Sequence, residues 1–190
     1  MKSVKIGNQE WSSENLNIDH FINGDKIQQA ESEKDWLNCL KKKMPAWCYF
    51  NNDPENGKVY GKLYNGFAVL DARQIAPEGW HIPTSEEWSE LFKHIGDSSI
   101  SGKLLKSATG WLENGNGIDS FSFNARPGGY RTPSSAKFKY MGEYGFWWSS
   151  SNASEVDISI WAYNISNCYD KVDKSGYNPM GGLSIRCVRN

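Results

Sequence analysis

The constraint that bears hardest on this chain is its ring content. Nine Trp, nine Tyr and eight Phe make 14% of the 190 residues aromatic, while the whole hydrophobic class reaches only 38%. Aliphatic side chains are too few to fill a core, so rings must do it. Trp and Tyr carry polar tips that need hydrogen-bond partners once buried. The interior must therefore offer many carbonyls and side-chain acceptors. Eighteen Gly against seven Pro point to frequent turns, not to a disordered spacer. No internal repeat or low-complexity linker interrupts the sequence, and the length reads as one domain over 1–190.

Charge excludes two classes of partner. Lys plus Arg is 21 and Asp plus Glu is 22, a formal net charge of −1 with no long basic cluster. Such a chain has no field to hold a phosphate backbone, so nucleic acid is not an expected partner. No apolar run approaches the roughly 20 residues of a membrane-spanning helix, and membrane insertion is not expected. Met1 to Gly7 begins with charge but has no apolar core segment, so no signal peptide is expected in this chain. Cys39, Cys48, Cys168 and Cys187 form no Cys-x-x-Cys, and His20, His81 and His94 are scattered. Neither a metal site nor another cofactor is expected. The four thiols allow three pairings, and buried free thiols acting as small hydrophobes are the simplest reading.

Helix signals fall in the first half. Val4 to Trp11 reads as two short strands around Gly7-Asn8. Glu31 to Lys43 reads as a helix, with Ser32 as its cap and Lys41, Lys42 and Lys43 facing the negative end of the dipole. Thr84 with Glu87 three residues on is a capping box. Behind it Trp88, Leu91, Phe92 and Ile95 recur at helical spacing up to Gly96. A shorter helix is expected from Ile100 to Ala108. Val59 to Leu70 reads as a strand pair turning at Asn65-Gly66. Asn51 to Gly57 reads as a turn, Asp-Pro opening it and Asn-Gly closing it, with oxygen ligands that could also hold an ion. Phe146 to Ser149, Ile158 to Ile165 and Leu183 to Val188 are the best later strands. Helices first and strands later argue α+β.

Several segments in order resemble the Fibrobacter succinogenes major paralogous domain family, in the formylglycine-generating-enzyme-like branch of C-type-lectin-like folds. They are Ile6-Gly7-Asn8-Gln9-Glu10-Trp11, Glu14-Asn15-Leu16, Tyr60-Gly61-Lys62-Leu63-Tyr64 and Ala76 to Thr84 with Glu87-Trp88. Pro127-Gly128-Gly129-Tyr130-Arg131, Trp147-Trp148-Ser149-Ser150 and Ser184 to Arg189 complete the set. The resemblance implies small irregular antiparallel sheets, two main helices and chain ends close together. It also suggests a secreted or cell-surface protein. It does not imply a reaction, since similar folds host lectins, an oxidase and hypervariable receptors.

The motif residues themselves read as scaffold. Gly128 and Gly129 look like positions of positive φ or close approach. Arg186 reads as a buried cation in need of a carboxylate or carbonyl partner.

Two functions compete. An oxidase of the formylglycine-generating type would need Cys168 and Cys187 to grip copper together, and nothing in their positions brings them together. A non-enzymatic ligand-binding or adhesion module needs only a surface. From Asn152 to Met180, Asn, Ser, Tyr and Asp make up 14 of 29 residues, the composition of adaptable recognition surfaces. In hypervariable members of the C-type-lectin-like class the matching stretch carries the diversified ligand contacts. The favoured function is therefore binding of a protein or carbohydrate at Trp161, Tyr163, Asn164, Asn167, Tyr169 and Asp170. Period two puts Trp161 and Tyr163 on one strand face, and Asn164 on the other unless the strand ends there. The competing reading buries Trp161 and Tyr163 in the core.

Overall fold

The computed structural model describes residues 1–96 and 98–190. β1 (Ser3–Ile6) and β2 (Gln9–Ser12) form a hairpin through Gly7-Asn8, with Gly7 in the left-handed region at φ 61°. After β3 (Gln28–Gln29), α1 spans Glu33–Lys41, shorter than expected at both ends. Ser32 does cap it, accepting from the Asp35 N–H. β4 (Ala46–Cys48) leads into a 3-10 turn over Phe50–Asn52 and α2 (Pro54–Tyr60). Asn51 to Gly57 is thus more than a turn, because Asp53 caps a helix whose first residue is Pro54.

The strand pair expected over Val59 to Leu70 is also corrected. Only β5 (Leu63–Asn65) is extended, and α3 (Gly66–Val69) follows directly. The Asn65 Oδ1 accepts from the Ala68 N–H at 3.0 Å and the Ala46 N–H at 3.1 Å. An Asn side chain so engaged caps a helix and cannot serve a hairpin turn.

β6 (Trp80–His81) precedes α4 (Ser85–Ile95), whose capping box is complete, with Gly96 as its stop at φ 93°. The expected second helix shrinks to α5 (Ser101–Leu105). β7 (Gly128–Arg131), β8 (Phe138–Met141), β9 (Tyr144–Asn152), β10 (Ile160–Ser166), β11 (Val172–Tyr177), β12 (Gly182–Leu183) and β13 (Val188–Arg189) complete the chain. Gly129 sits at φ 64°, and a Cβ there would lie 2.5 Å from the Lys139 carbonyl oxygen, so the close approach read from the sequence is real.

The architecture is α+β, built on two sheets in the orders β1-β2-β13-β6 and β11-β10-β9-β7-β12-β5-β4-β3, with β8 beside β7. The small antiparallel pairings expected make up most of the ladders, with two exceptions. β3 runs parallel to β4 and β7 parallel to β9, which mixes the larger sheet. Residues near the two ends meet in the smaller one, where Val188 pairs with Trp11.

Side-chain alternation divides the interior by face. In β9, Phe146 and Trp148 join one apolar cluster and Trp147 another. In β10, Ile160 and Ala162 go with Phe146, while Tyr163 and Ile165 join Trp88, Leu91 and Ile95 of α4. Phe92 packs at the edge of that second cluster, half-buried. β4 repeats the rule, sending Trp47 to the Phe146 side and Ala46 and Cys48 to a third cluster around Trp36.

Many loop carbonyls lie outside any ladder, and buried cations satisfy them. Arg186 is 1% exposed and donates to the Ser12 and Phe123 carbonyls at 2.7 and 2.8 Å, the Asn124 carbonyl at 2.8 Å and the Asn15 Oδ1 at 2.7 Å. It lies in Ser184–Cys187, which crosses from β12 in one sheet to β13 in the other. The single strand expected over Leu183 to Val188 is therefore split. Arg131 donates to the carbonyls of Ala136, Ala30 and Ser32, its guanidinium between the rings of Trp36 and Phe138. Lys106 donates to the carbonyls of Ser166 and Tyr169. Desolvation lowers the pKa of Lys106, and Asp170 opposes that shift. Carbonyl acceptors suffice here because a guanidinium presents five donors in a fork.

Candidate functional site

The residues expected to bind a ligand fall on different faces. Trp161 is half-buried, with the Lys174 ammonium 4.2 Å from its ring. Tyr163 shares its face, as period two requires, but that face is the one covered by α4. The Tyr163 ring is 2% exposed and stacks on Trp88 with centroids 4.7 Å apart. Tyr163 is a core residue and offers no contact surface, which corrects its assignment. Tyr169 (59% exposed) and Asp170 stand beyond the strand in the loop held by Lys106. The set does not form one patch.

Asn164 and Asn167 do belong together, on the opposite face. There a groove of about 420 Å³ is walled by Tyr130 of β7, Tyr140 of β8, Tyr144 and Phe146 of β9 and Tyr177 of β11, with Asn164 of β10 among them. Strand geometry explains the assembly. Tyr144 and Phe146 are two apart, Asn164 pairs directly with Phe146, and Tyr177 pairs with Ile160, four residues from Asn164. All of these side chains leave the sheet on the same side.

The wall is continuous. Tyr130 and Phe146 have centroids 4.9 Å apart, Tyr140 and Tyr144 5.3 Å, and Phe146 and Tyr177 5.7 Å. Tyr144 and Phe146 stack nearly parallel at 5.5 Å. Tyr140 reaches its place through a left-handed backbone, φ 66°, which costs a bulky residue about 1–2 kcal/mol. Its ring then stacks against Tyr130 at 5.8 Å. Burial pushes the Tyr177 phenol up to about 12, with Tyr130 and Tyr144 adding to the shift, so it remains a protonated donor. Burial raises Tyr130 as well.

Asn164 is the unusual member. It is only 8% exposed, and its side-chain amide makes no hydrogen bond to the described residues. Its amide atoms are not among the fully buried polar atoms left without a partner, which are Trp36 Nε1, Asn52 Oδ1 and Trp88 Nε1 among the described residues, so the amide opens onto the groove with its donor and acceptor free of protein partners. Asn167 is half-buried at the same groove and points weakly, at 3.5 Å, to the Glu113 carboxylate. Glu113, Glu143 and Cys168 form the rim, all three exposed.

Sequence reasoning missed Tyr130, Tyr140, Tyr144 and Tyr177. A signal existed in the Tyr-x-Phe spacing of Tyr144 and Phe146, which places two rings on one strand face. The partners on β7, β8 and β11 depend on pairing that no local pattern reveals.

Cysteine geometry bears on the competing chemistry. All four thiols are free, three of them buried. Burial pushes Cys187 up to about 12 and Cys48 up to about 11.

Compared with known families, residues 4–189 match the Fibrobacter succinogenes major domain. No curated protein and no solved structure matches the chain.

Proposed function

The chain belongs to the Fibrobacter succinogenes major domain family, and on that footing we propose that it is a non-enzymatic ligand-binding or adhesion module whose ligand lies in the tyrosine-walled groove. The observation that carries this reading is Asn164, more than nine-tenths buried and unpartnered at the groove. A ligand with a donor and an acceptor would satisfy that amide while its flat surface covers the rings. Tyrosine adds contact area at low entropic cost, and rigid strands hold the rings in place before binding. The C-type-lectin-like arrangement implied by the resemblance is consistent with a binding role and is part of the same proposal. The ligand is expected to be a protein segment or a carbohydrate.

Against the oxidase stands the Cys187 thiol. It is 0% exposed within the apolar cluster around Trp148 and Ile185, while Cys168 is exposed in the loop after β10, so the one thiol is closed off from oxygen and substrate and the other stands at the surface.

The test is an NMR titration of the whole chain with N-acetylglucosamine, methyl β-glucopyranoside and capped single residues of Gly, Glu and Arg. At least one probe should move the Asn164 side-chain amide signals, and Asn164→Ala should weaken that probe while the fold stays intact. Movement confined to other surfaces, or none, refutes the groove. Separately, Cu(I)-dependent oxygen uptake with a cysteine peptide, abolished by Cys168→Ser or Cys187→Ser, would refute the non-enzymatic assignment.

A further inference from the structure

We propose that the group bound in the groove is a guanidinium, carried by an arginine side chain within a peptide or protein; this rests on the groove being the binding site. Charge decides first. The groove's ionisable rim is Glu113 and Glu143, and no Lys or Arg lines it among the described residues. Neither carboxylate is ion-paired there. Elsewhere Glu10 meets Arg189, Glu14 meets Lys2, Glu33 meets Lys137 and Glu55 meets Lys58. Other carboxylates, Glu78 and Glu90 among them, also lack an ion pair, so what distinguishes Glu113 and Glu143 is their place together at the rim of an aromatic groove that no Lys or Arg lines among the described residues.

Shape decides next. The rings form two nearly parallel pairs, Tyr130 with Tyr140 at 19° and Tyr144 with Phe146 at 15°, tilted by 50° and 49° where the pairs meet, with Tyr177 edge-on to Phe146, so each flat face is that of one pair. A flat guanidinium can stack on such a face through its whole π surface and still send N–H groups outward in its plane. A tetrahedral ammonium would touch the face with only part of its surface. The Asn164 Oδ1 can accept one guanidinium N–H, and its Nδ2 can donate to a peptide carbonyl. The rim carboxylates take the remaining donors. Free arginine would bring its own α-carboxylate toward Glu113 and Glu143, which is why the arginine belongs within a chain.

The experiment follows the Asn164 side-chain amide by NMR at low ionic strength against four probes. These are N-acetyl-arginine N-methylamide, its citrulline counterpart, free L-arginine and methyl β-glucopyranoside. The capped arginine should shift the signal and saturate, with citrulline at least about tenfold weaker and free arginine weaker than the capped form. The exposed pair Glu113→Gln/Glu143→Gln should weaken the capped arginine about fivefold, and raising salt should do the same to the unmodified chain. Equal binding of citrulline, or an unchanged affinity in the double variant, overturns the guanidinium. Equal binding of free arginine overturns the peptide source. If the glucoside moves Asn164 and the arginine probes do not, the guanidinium fails and the groove stands. Silence from every probe in a folded chain overturns both.

Discussion

Replacing Arg186 with Met tests the claim that buried cations hold the irregular parts of this fold together. The guanidinium is 1% exposed and spends four N–H bonds of 2.7–2.8 Å on Ser12, Asn15, Phe123 and Asn124. Met fills similar space, so no large cavity is left. The Phe123 and Asn124 carbonyls meet no backbone N–H among the described residues, and the substitution would leave the first, buried, and the second, half-buried, without a protein donor. At about 1–1.5 kcal/mol for each orphaned carbonyl the loss comes to about 2–3 kcal/mol, and the Asn15 Oδ1 is not orphaned because the Trp147 indole N–H still donates to it at 2.8 Å. Removing a buried charge returns some desolvation energy, since burial lowers the pKa of Arg186. The expected net destabilisation is therefore about 1–3 kcal/mol. Arg186→Lys should recover only part of it, because an ammonium has three donors and no planar fork. Urea unfolding at pH 7 measures both variants, with an unchanged slope marking a pure stability effect. A Met variant within 0.5 kcal/mol of the original, taken as the usual range for a neutral substitution (about ±0.5 kcal/mol), would show that the carbonyls find other donors and refute the reasoning.

Thr84→Ala removes the hydroxyl that accepts from the Glu87 N–H and should cost about 1 kcal/mol in thermal or urea unfolding; no loss would mean the box is not engaged in solution. Lys106→Met frees the Ser166 and Tyr169 carbonyls, so amide exchange across 166–170 should accelerate more than in β9; equal protection would refute the anchoring role. Stability should also fall in alkali. Cys48, Cys187, Tyr64 and Tyr177 all have folded pKa values raised above their unfolded ones, so in each case the unfolded chain loses its proton first. Their stabilisation is complete below about pH 9 and is lost as pH rises through about 11–12, while Lys62, Lys106 and Arg186, lowered by burial, act in the opposite sense. Unfolding midpoints that stay level or rise between pH 9 and 11 would contradict this balance.

Local chemistry was legible wherever the cause was local. Ser32 and Thr84 cap their helices because an oxygen three residues from a free N–H needs nothing distant, and Trp88, Leu91 and Ile95 are buried because helical spacing puts them on one side. The aromatic composition required interior acceptors; Trp47, Trp147 and Trp148 found them in Ile27, Asn15 and Tyr64, while the indole N–H groups of Trp36 and Trp88 are buried without a partner among the described residues. Asn65-Gly66 misled because the same dipeptide turns a hairpin or caps a helix, and a contact with Ala46, nineteen residues away, chose the cap. The candidate site divides along the same line. Period two correctly separated Asn164 from Trp161 and Tyr163, yet only tertiary packing decided which face α4 would cover. That packing buried Tyr163, left Trp161 half-buried and left Asn164 in the groove. Tyr130, Tyr140 and Tyr177 join it through the pairing of β7 with β8 and β9 and of β11 with β10, and the register of those pairings depends on the free energy of the whole sheet, which no stretch of sequence carries by itself.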